Sequence, residues 1–438
     1  MPSASFLRPL AHSCSLTPFL ILAACSAAPE SESATRETVT TREIAVGGIV
    51  SMRKETRVIE PIDAPRPEER QAQVQSGNLT AGDHDDLLNP ELYAAYAGRF
   101  LQQHGDELPF VDTRHRVAVK VVDAAGRAVP HARIDVARRQ GALHLVSAAD
   151  GTASFYPRFD GVGNAARITV SSDAGSASQT LQLAPRGEQT AVLTLQGRAK
   201  PVAAMDLVLA LDTTGSMGDE MAYLQAELES IVARLKRDAG NVDLRIGLIV
   251  YRDEGDDYVA RSFPLTNDIG AMRAELAEQD AGGGGDMPEA VDRALLDAEQ
   301  MQWRPDAVKA VLLVADAPPH EDAMPATLSA TQRLRARGVQ IVPVAASGVE
   351  DRAQYVMRTM AVLTQGRYIF LTDDSGVGEA HAEPDVACYV VTRLDQMIGR
   401  VLAGLMEGRR IEPDRQDIIR TVGDYDAGKC RGAQVASR

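Results

Sequence analysis

The chain has 438 residues, enough for two or three domains, with a formal net charge of −15 and 45% apolar content. The acidic charge is spread along the sequence, which argues against a general nucleic-acid-binding surface. Only 4% of the residues are aromatic, so the cores must be built mainly from Val, Leu, Ile and Ala.

The first residues have the pattern of an export signal, with Arg8 as the positive n-region and an apolar segment from Leu16 to Ala24. That segment is far shorter than the ~20 residues of a membrane-spanning helix, and no later stretch reaches that length. Leu22-Ala23-Ala24-Cys25 resembles the bacterial lipobox. The resemblance implies removal of residues 1–24, lipid on Cys25 and, because Ser26 follows, retention at the outer membrane. An ordinary signal peptide that happens to contain Cys25 is the alternative. Residues 25–88 are rich in Ser, Thr, Glu, Arg and Pro with little apolar periodicity, and read as a disordered tether. In 89–113, Asn89-Pro90 opens a helix with Leu92, Tyr93, Tyr96 and Phe100 at helical spacing. This helical connector is expected to pack its aromatic stripe on the domain that follows.

Over 114–198 the period changes to two. Val117–Val122, Val129–Val136, Leu143–Val146, Ala153–Tyr156, Ile168–Ser171, Ser178–Leu183 and Ala191–Leu195 are candidate strands separated by turn signals such as Asp150-Gly151. Seven short strands predict a β-sandwich. The order Val-Asp-x-x-Gly-Arg-x-Val-Pro-x-Ala-x-Ile, followed by Ala-Asp-Gly-x-Ala-x-Phe, resembles carboxypeptidase-regulatory-like (transthyretin-like) modules. Such a module shows no chemistry and reads as a spacer or a second adhesive unit.

Asp206–Leu211 is an apolar run suited to a buried parallel strand. It ends in Asp212, Thr214 and Ser216, three oxygen-bearing side chains at alternate positions around Gly215. One carboxylate and two hydroxyls suit a hard divalent cation. Asp-x-Thr-x-Ser at a first strand end resembles the metal-ion-dependent adhesion site of von Willebrand factor A domains. The resemblance covers about 203–408, nearly half the chain, and implies a Rossmann-like, doubly wound α/β fold binding Mg²⁺, with Mn²⁺ or Ca²⁺ as alternatives. A helix follows the loop, then a strand from Val242 to Tyr251 and the acidic turn Arg252–Asp257, which reads as a second ion site or a solvated loop. Val259–Leu265 is expected as an edge strand and Ile269–Ala277 as a helix capped by Asp268.

Gly282–Gly285 precede Asp286, Pro288 and Glu289, with Pro288 placed in the first turn of the next helix. In A domains this loop brings a Thr, or in some members an acidic residue, to the metal. The resemblance therefore assigns that role to Glu289 or Asp286 without separating them. The strand Val308–Val314 ends in Asp316, where the family supplies its last acidic ligand. His320 reads as a turn residue. A strand at Val339–Ala345, a helix at Arg352–Leu363, a last strand at Gly366–Leu371 and an amphipathic helix marked by Leu394, Met397, Ile398, Val401, Leu402 and Leu405 complete the fold, leaving 409–438 as a tail. With Cys14 discarded and Cys25 lipidated, Cys388 and Cys430 form a candidate disulfide in an oxidising compartment, or remain two buried thiols.

The function these readings imply is a lipid-anchored protein of the bacterial envelope, facing the periplasm or the surface, that binds a protein partner's Asp or Glu through the cation. A scaffold in which the metal only stabilises the fold is the alternative. Asp212-Thr-Thr-Gly-Ser also resembles the phosphorylation motif of transport ATPases, with Asp212 as nucleophile. The sequence shows neither the membrane helices of such pumps nor a Ser/His/Asp arrangement or a P-loop, so no enzyme is expected.

Overall fold

The computed structural model describes residues 77–432, apart from 106–107, 239–241, 286, 347, 377–380 and 382–383. The expected signal segment, Cys25, nearly all of the tether and Asp286 lie outside the described residues.

Strand β1 (Thr80–His84) and helix α1 (Pro90–His104) come first. Strands β2 (Val117–Asp123), β3 (Arg133–Ala137), β4 (Ala142–Val146), β5 (Thr152–Phe155), β6 (Ala165–Ser172), β7 (Gly175–Gln182) and β8 (Gln189–Leu195) follow. They form two sheets, β5-β2-β8 and β4-β3-β6-β7. Alternate residues such as Val117, Val119, Val121, Ile134, Val136, Ile168, Val170 and Leu193 face one another between the sheets, which is how period-two sequences close a sandwich.

The α/β domain continues with β9 (Ala204–Asp212), α2 (Gly218–Asp238), β10 (Asp243–Tyr251), β11 (Ala260–Thr266), α3 (Ile269–Ala277) and α4 (Val291–Gln300). Then come β12 (Val308–Ala315), α5 (Met324–Ala336), β13 (Val339–Ala345), α6 (Asp351–Thr364), β14 (Tyr368–Thr372), β15 (Tyr389–Arg393), α7 (Leu394–Glu407) and β16 (Arg420–Val422). Nine strands make one mixed sheet in the order β11-β10-β9-β12-β13-β14-β1-β15-β16, with β10, β9, β12, β13 and β14 parallel. Val208, Ala210, Val311 and Leu313 point to one face, covered by α1, α4, α5 and α6. Leu207, Leu209, Leu211 and Leu312 point to the other, covered by α2, α3 and α7. Burial on both faces is why β9 and β12 read as unbroken apolar runs. The order reverses between β9 and β12, and a crevice at that switch point is where an open α/β sheet places its ligands.

Several expectations are corrected. Residues 80–84, assigned to the disordered tether, form β1, antiparallel to both β14 and β15 and buried throughout. Thr-Ala-Gly-Asp-His carries no apolar alternation. Its place depends instead on Gly82, where a Cβ would lie 2.6 Å from the Phe370 ring, and on the ion pairs of buried Asp83. The aromatic stripe of α1 does not cover the sandwich. Phe100 stacks on Tyr355 of α6 at 4.4 Å, and Tyr93 hydrogen-bonds Thr359. Helix α5 and strands β15 and β16 were not expected, and Gly366–Leu371 is therefore not the last strand. Residues 409–438 do not begin as a free tail: β16 joins the sheet, and a short hairpin, Tyr425–Asp426 with Lys429–Cys430, follows it. The Cys388–Cys430 disulfide is formed, with Cα atoms 5.3 Å apart, and its loop encloses α7.

Candidate metal centre

Three loops at the carboxyl ends of the parallel strands are joined by their backbones. Gly282 N–H donates to the Thr213 carbonyl (2.9 Å) and Gly215 N–H to the Gly283 carbonyl (3.2 Å), tying the loop after β9 to the glycine run. Glu289 N–H donates to the Pro318 carbonyl (2.9 Å), tying the glycine run to the loop after β12. Glu289 thus lies in an extended bridge opposite Pro319, and α4 starts only at Val291, three residues past Pro288.

Asp212 is fully buried, and its Oδ1 accepts from the Thr214 N–H (3.0 Å) and the Thr214 hydroxyl (2.7 Å). Thr214 Oγ1 lies 3.3 Å from Ser216 Oγ, and Ser216 is exposed, so the cluster runs from the sheet end to the surface. Gly284, at φ +70°, has Glu289 Oε1 and Thr214 Cβ each 3.2 Å from where a Cβ would stand. A side chain there would push into the space between the two loops. Asp316 is buried beside them.

The electrostatics of this group are unfavourable as they stand. Burial first, then the charge of Asp316, pushes Asp212 up to about 7. Burial, then the charges of Asp212, Asp253, Asp316 and Asp256, pushes Glu289 up to about 9. Asp212 Oδ2 and Glu289 Oε2 are buried and accept no well-formed hydrogen bond among the described residues, although the buried Tyr251 hydroxyl lies beside Asp212. A buried acceptor without a donor is costly, and a divalent cation answers both the orphaned oxygens and the repulsion. Among the described residues no three carboxylate, imidazole or thiolate groups converge closely enough to hold a metal alone. The donor set therefore fits a hard cation only with the hydroxyls of Thr214 and Ser216 included.

Residues 206–381 match the von Willebrand factor type A domain model. This part of the chain is a von Willebrand factor type A domain. A putative ariadne-like RING finger protein of Acanthamoeba polyphaga mimivirus is 36% identical over 121 residues, 27% of this chain and 11% of that protein. The alpha-protein kinase vwkA of Dictyostelium discoideum is 29% identical over 117 residues, 26% and 19% of the two chains. The matches thus span less than a fifth of either relative's length. Among solved structures, the pilus adhesin SpaC of Lactobacillus rhamnosus GG is 12% identical with a TM-score of 0.35, covering 56% of this chain and 33% of that one. The conserved hypothetical protein BatB of Bacteroides thetaiotaomicron is 15% identical with a TM-score of 0.26, covering 48% and 92%.

The structure brings Asp212, Thr214, Ser216, Glu289 and Asp316 of the A domain to one place, while Asp286 is outside the described residues. The acidic turn after β10 is solvated at Glu254, Gly255 and Asp257, as expected, but Asp253 and Asp256 turn inward to the site. Asp256 accepts from Gly284 N–H (2.9 Å) and Asp253 N–H (3.1 Å), and fixes the glycine run against it. Asp253 pairs with His320 Nε2 at 2.5 Å, so that histidine belongs to the frame of the site. Arg252 braces the same frame, donating to the carbonyls of Thr213 (3.1 Å) and Asp280 (2.8 Å). Their supporting role shows only once β10 is known to deliver the turn to the glycine run.

Proposed function

We propose that the A domain holds a divalent cation, Mg²⁺ or in its place Mn²⁺ or Ca²⁺, through Asp212, Thr214 and Ser216. Glu289 and Asp316 act directly or through water, and Asp286 remains an alternative to Glu289. The ion supplies concentrated positive charge and a coordination position open to exchange, so that the Asp or Glu carboxylate of a protein partner can replace a water on it. The observation that carries this reading is the pair of buried oxygens, Asp212 Oδ2 and Glu289 Oε2, left without a well-formed hydrogen bond inside a cluster of carboxylates. Thr214 orients Asp212 by its two hydrogen bonds, and exposed Ser216 marks the rim from which a partner approaches.

The role is binding rather than catalysis: the side chains around Asp212 hold oxygen atoms still, and His320 and Asp253 are engaged with each other in the frame. The Leu22–Cys25 motif supports a lipid anchor at Cys25, with the chain before β1 as a tether from the bacterial envelope. Mass spectrometry of the mature protein tests the anchor; an unmodified Cys25 would remove it.

The site itself is tested by titrating Mg²⁺, Mn²⁺ and Ca²⁺ against thermal stability, with Asp212→Ala in parallel and direct metal analysis of both proteins. A ligand bound only by the folded state stabilises by about 2.7 kcal/mol at a hundred times Kd. Saturable stabilisation absent from Asp212→Ala is the expected result. No bound metal and no response in the unsubstituted chain would overturn the reading. Partner capture that persists in chelator would reduce the ion to a stabiliser of the fold.

A further inference from the structure

A second underused charge lies at the opposite end of the sheet. Arg367, just before β14, is 9% exposed, yet its guanidinium donates no hydrogen bond to any described residue. It makes two long ion pairs, 3.5 Å to Asp83 and 4.0 Å to Asp85. Asp83 is already engaged by Arg410 at 2.8 Å, and Asp85 caps the turn at Leu87 and Leu88. Both contacts are long, so the guanidinium N–H donors remain open to a stronger acceptor from the space beside them.

Arg367 faces a cavity of about 320 Å³ between the β-sandwich and the A domain. The sandwich contributes Arg116, Thr152, Ser154 and Asp150, whose carboxylate accepts from the Thr152 N–H and hydroxyl, and the A domain contributes Gln365 and Arg409. Arg116 is paired with Glu188 and Arg409 with Glu407, and Arg367, with its two long ion pairs, is the most loosely held of the three arginines that line the cavity. The two modules meet at backbone distance on the rim: Gly408 is at φ +64°, and a Cβ there would lie 2.4 Å from Asp150 N. Gln365, in left-handed conformation at φ 59°, crosses the same boundary by accepting from Ser154 N–H (2.6 Å). The cavity is therefore built by both modules and is fixed in shape.

We propose that this interdomain cleft binds a small ligand bearing an oxyanion, a carboxylate or a phosphate, on the guanidinium of Arg367. Both groups accept two parallel N–H bonds from a guanidinium fork. The site is independent of the proposed cation site, which lies at the other ends of the strands.

The test uses the full chain, with inorganic phosphate and acetate as probes, chloride at equal ionic strength as reference, and thermal stability and calorimetry as readouts. Arg367→Gln removes the fork. Ala118→Leu, on the cavity wall, fills the space and leaves the fork intact. The expected result is saturable stabilisation by phosphate or acetate over chloride, weakened at least about tenfold in both variants and unchanged in Asp212→Asn. The stronger of the two probes identifies the oxyanion class. No saturable effect in the unsubstituted chain would overturn the proposal and leave the cavity to water. An effect persisting in Ala118→Leu would also overturn it, and that variant decides the matter if Arg367→Gln fails to fold.

Discussion

Glu289→Gln separates an ion-binding carboxylate from a structural one, because the two roles predict opposite signs. In the absence of metal, Glu289 is raised from its ordinary 4.5 to about 9 by burial and by neighbouring carboxylates. Between those values the folded site holds a proton that the unfolded chain has released. Stability is therefore full below about pH 4.5 and declines as the pH rises toward 9. A pH of about 7.5 lies about three units above the carboxyl's ordinary value, which sets an upper limit near 4 kcal/mol on the cost. Water entering from the exposed Ser216 side reduces this to on the order of 2 kcal/mol. Gln keeps the shape of the protonated acid and cannot ionise. The metal-free variant is expected to be more stable than the parent by about that amount at neutral pH, with a flatter dependence on pH. Added Mg²⁺ should stabilise the parent and act weakly on the variant, so the two stability curves cross as metal is titrated. Chemical denaturation in chelator and in excess Mg²⁺, at several pH values, measures both effects. A variant that is less stable in chelator and still responds fully to Mg²⁺ would refute the reasoning and make Glu289 a structural residue.

Asp86 and Arg358 form a bidentate pair (2.7 and 3.0 Å) with Arg358 1% exposed. Asp86→Ala should cost about 3–5 kcal/mol in denaturant melts, and the double replacement Asp86→Leu with Arg358→Met should recover most of it. His131 is lowered to about 4 by burial first and then by Lys309, so its neutral form is favoured in the folded state. Stability should fall as pH drops from about 6.5 to 4, and His131→Gln should flatten that limb of the pH profile. Gly283 is at φ +78°, and a Cβ there would lie 2.5 Å from the Asp256 carboxylate. Gly283→Ala should weaken Mg²⁺-dependent stabilisation by displacing the acidic turn that holds the glycine run, as read in the same titration. A fragment of residues 203–381 lacks β1, β15, β16 and α7. It should fail to give a cooperative melt, whereas residues 77–432 should melt as a folded protein.

The parts of the fold that were legible in the sequence are those whose burial is carried by side-chain pattern. β9 and β12 are apolar on both faces, and the sandwich strands alternate, so hydrophobicity alone located them. β1 was illegible because its burial is polar: Asp83 and His84 are held by ion pairs, and the Phe370 and Tyr389 rings close on Gly82. β16 has half-exposed residues and gains its place only by pairing with β15. Of the candidate site, Asp212, Thr214 and Ser216 were readable because alternate oxygen-bearing residues after a buried strand have few structural uses. The frame of Arg252, Asp253, Asp256 and His320 was not, since acidic turns are usually solvated and their contacts here are long-range.

Both ends of the A-domain sheet bury charged groups that are imperfectly paired. At the carboxyl ends of the parallel strands, Asp212, Glu289 and Asp316 repel one another. At the other end, Arg367 and Arg410 compete for Asp83, and burial and the Arg410 charge hold Arg367 below the ordinary guanidinium range. Neither arrangement is what stability alone would favour, because apolar replacements of similar volume would remove the desolvation cost at both ends. On the two proposals above, each would be relieved by a ligand of opposite charge, a cation at one end and an oxyanion at the other. Strands of this length separate the ends by roughly 25 Å at ~3.3 Å per residue, beyond the screening length of about 8 Å at physiological salt. Sites so far apart without shared partners act independently to within about 0.5 kcal/mol. Stabilisation by Mg²⁺ and by the oxyanion should therefore add, and a marked shortfall would mean that the sheet between them transmits strain from one end to the other.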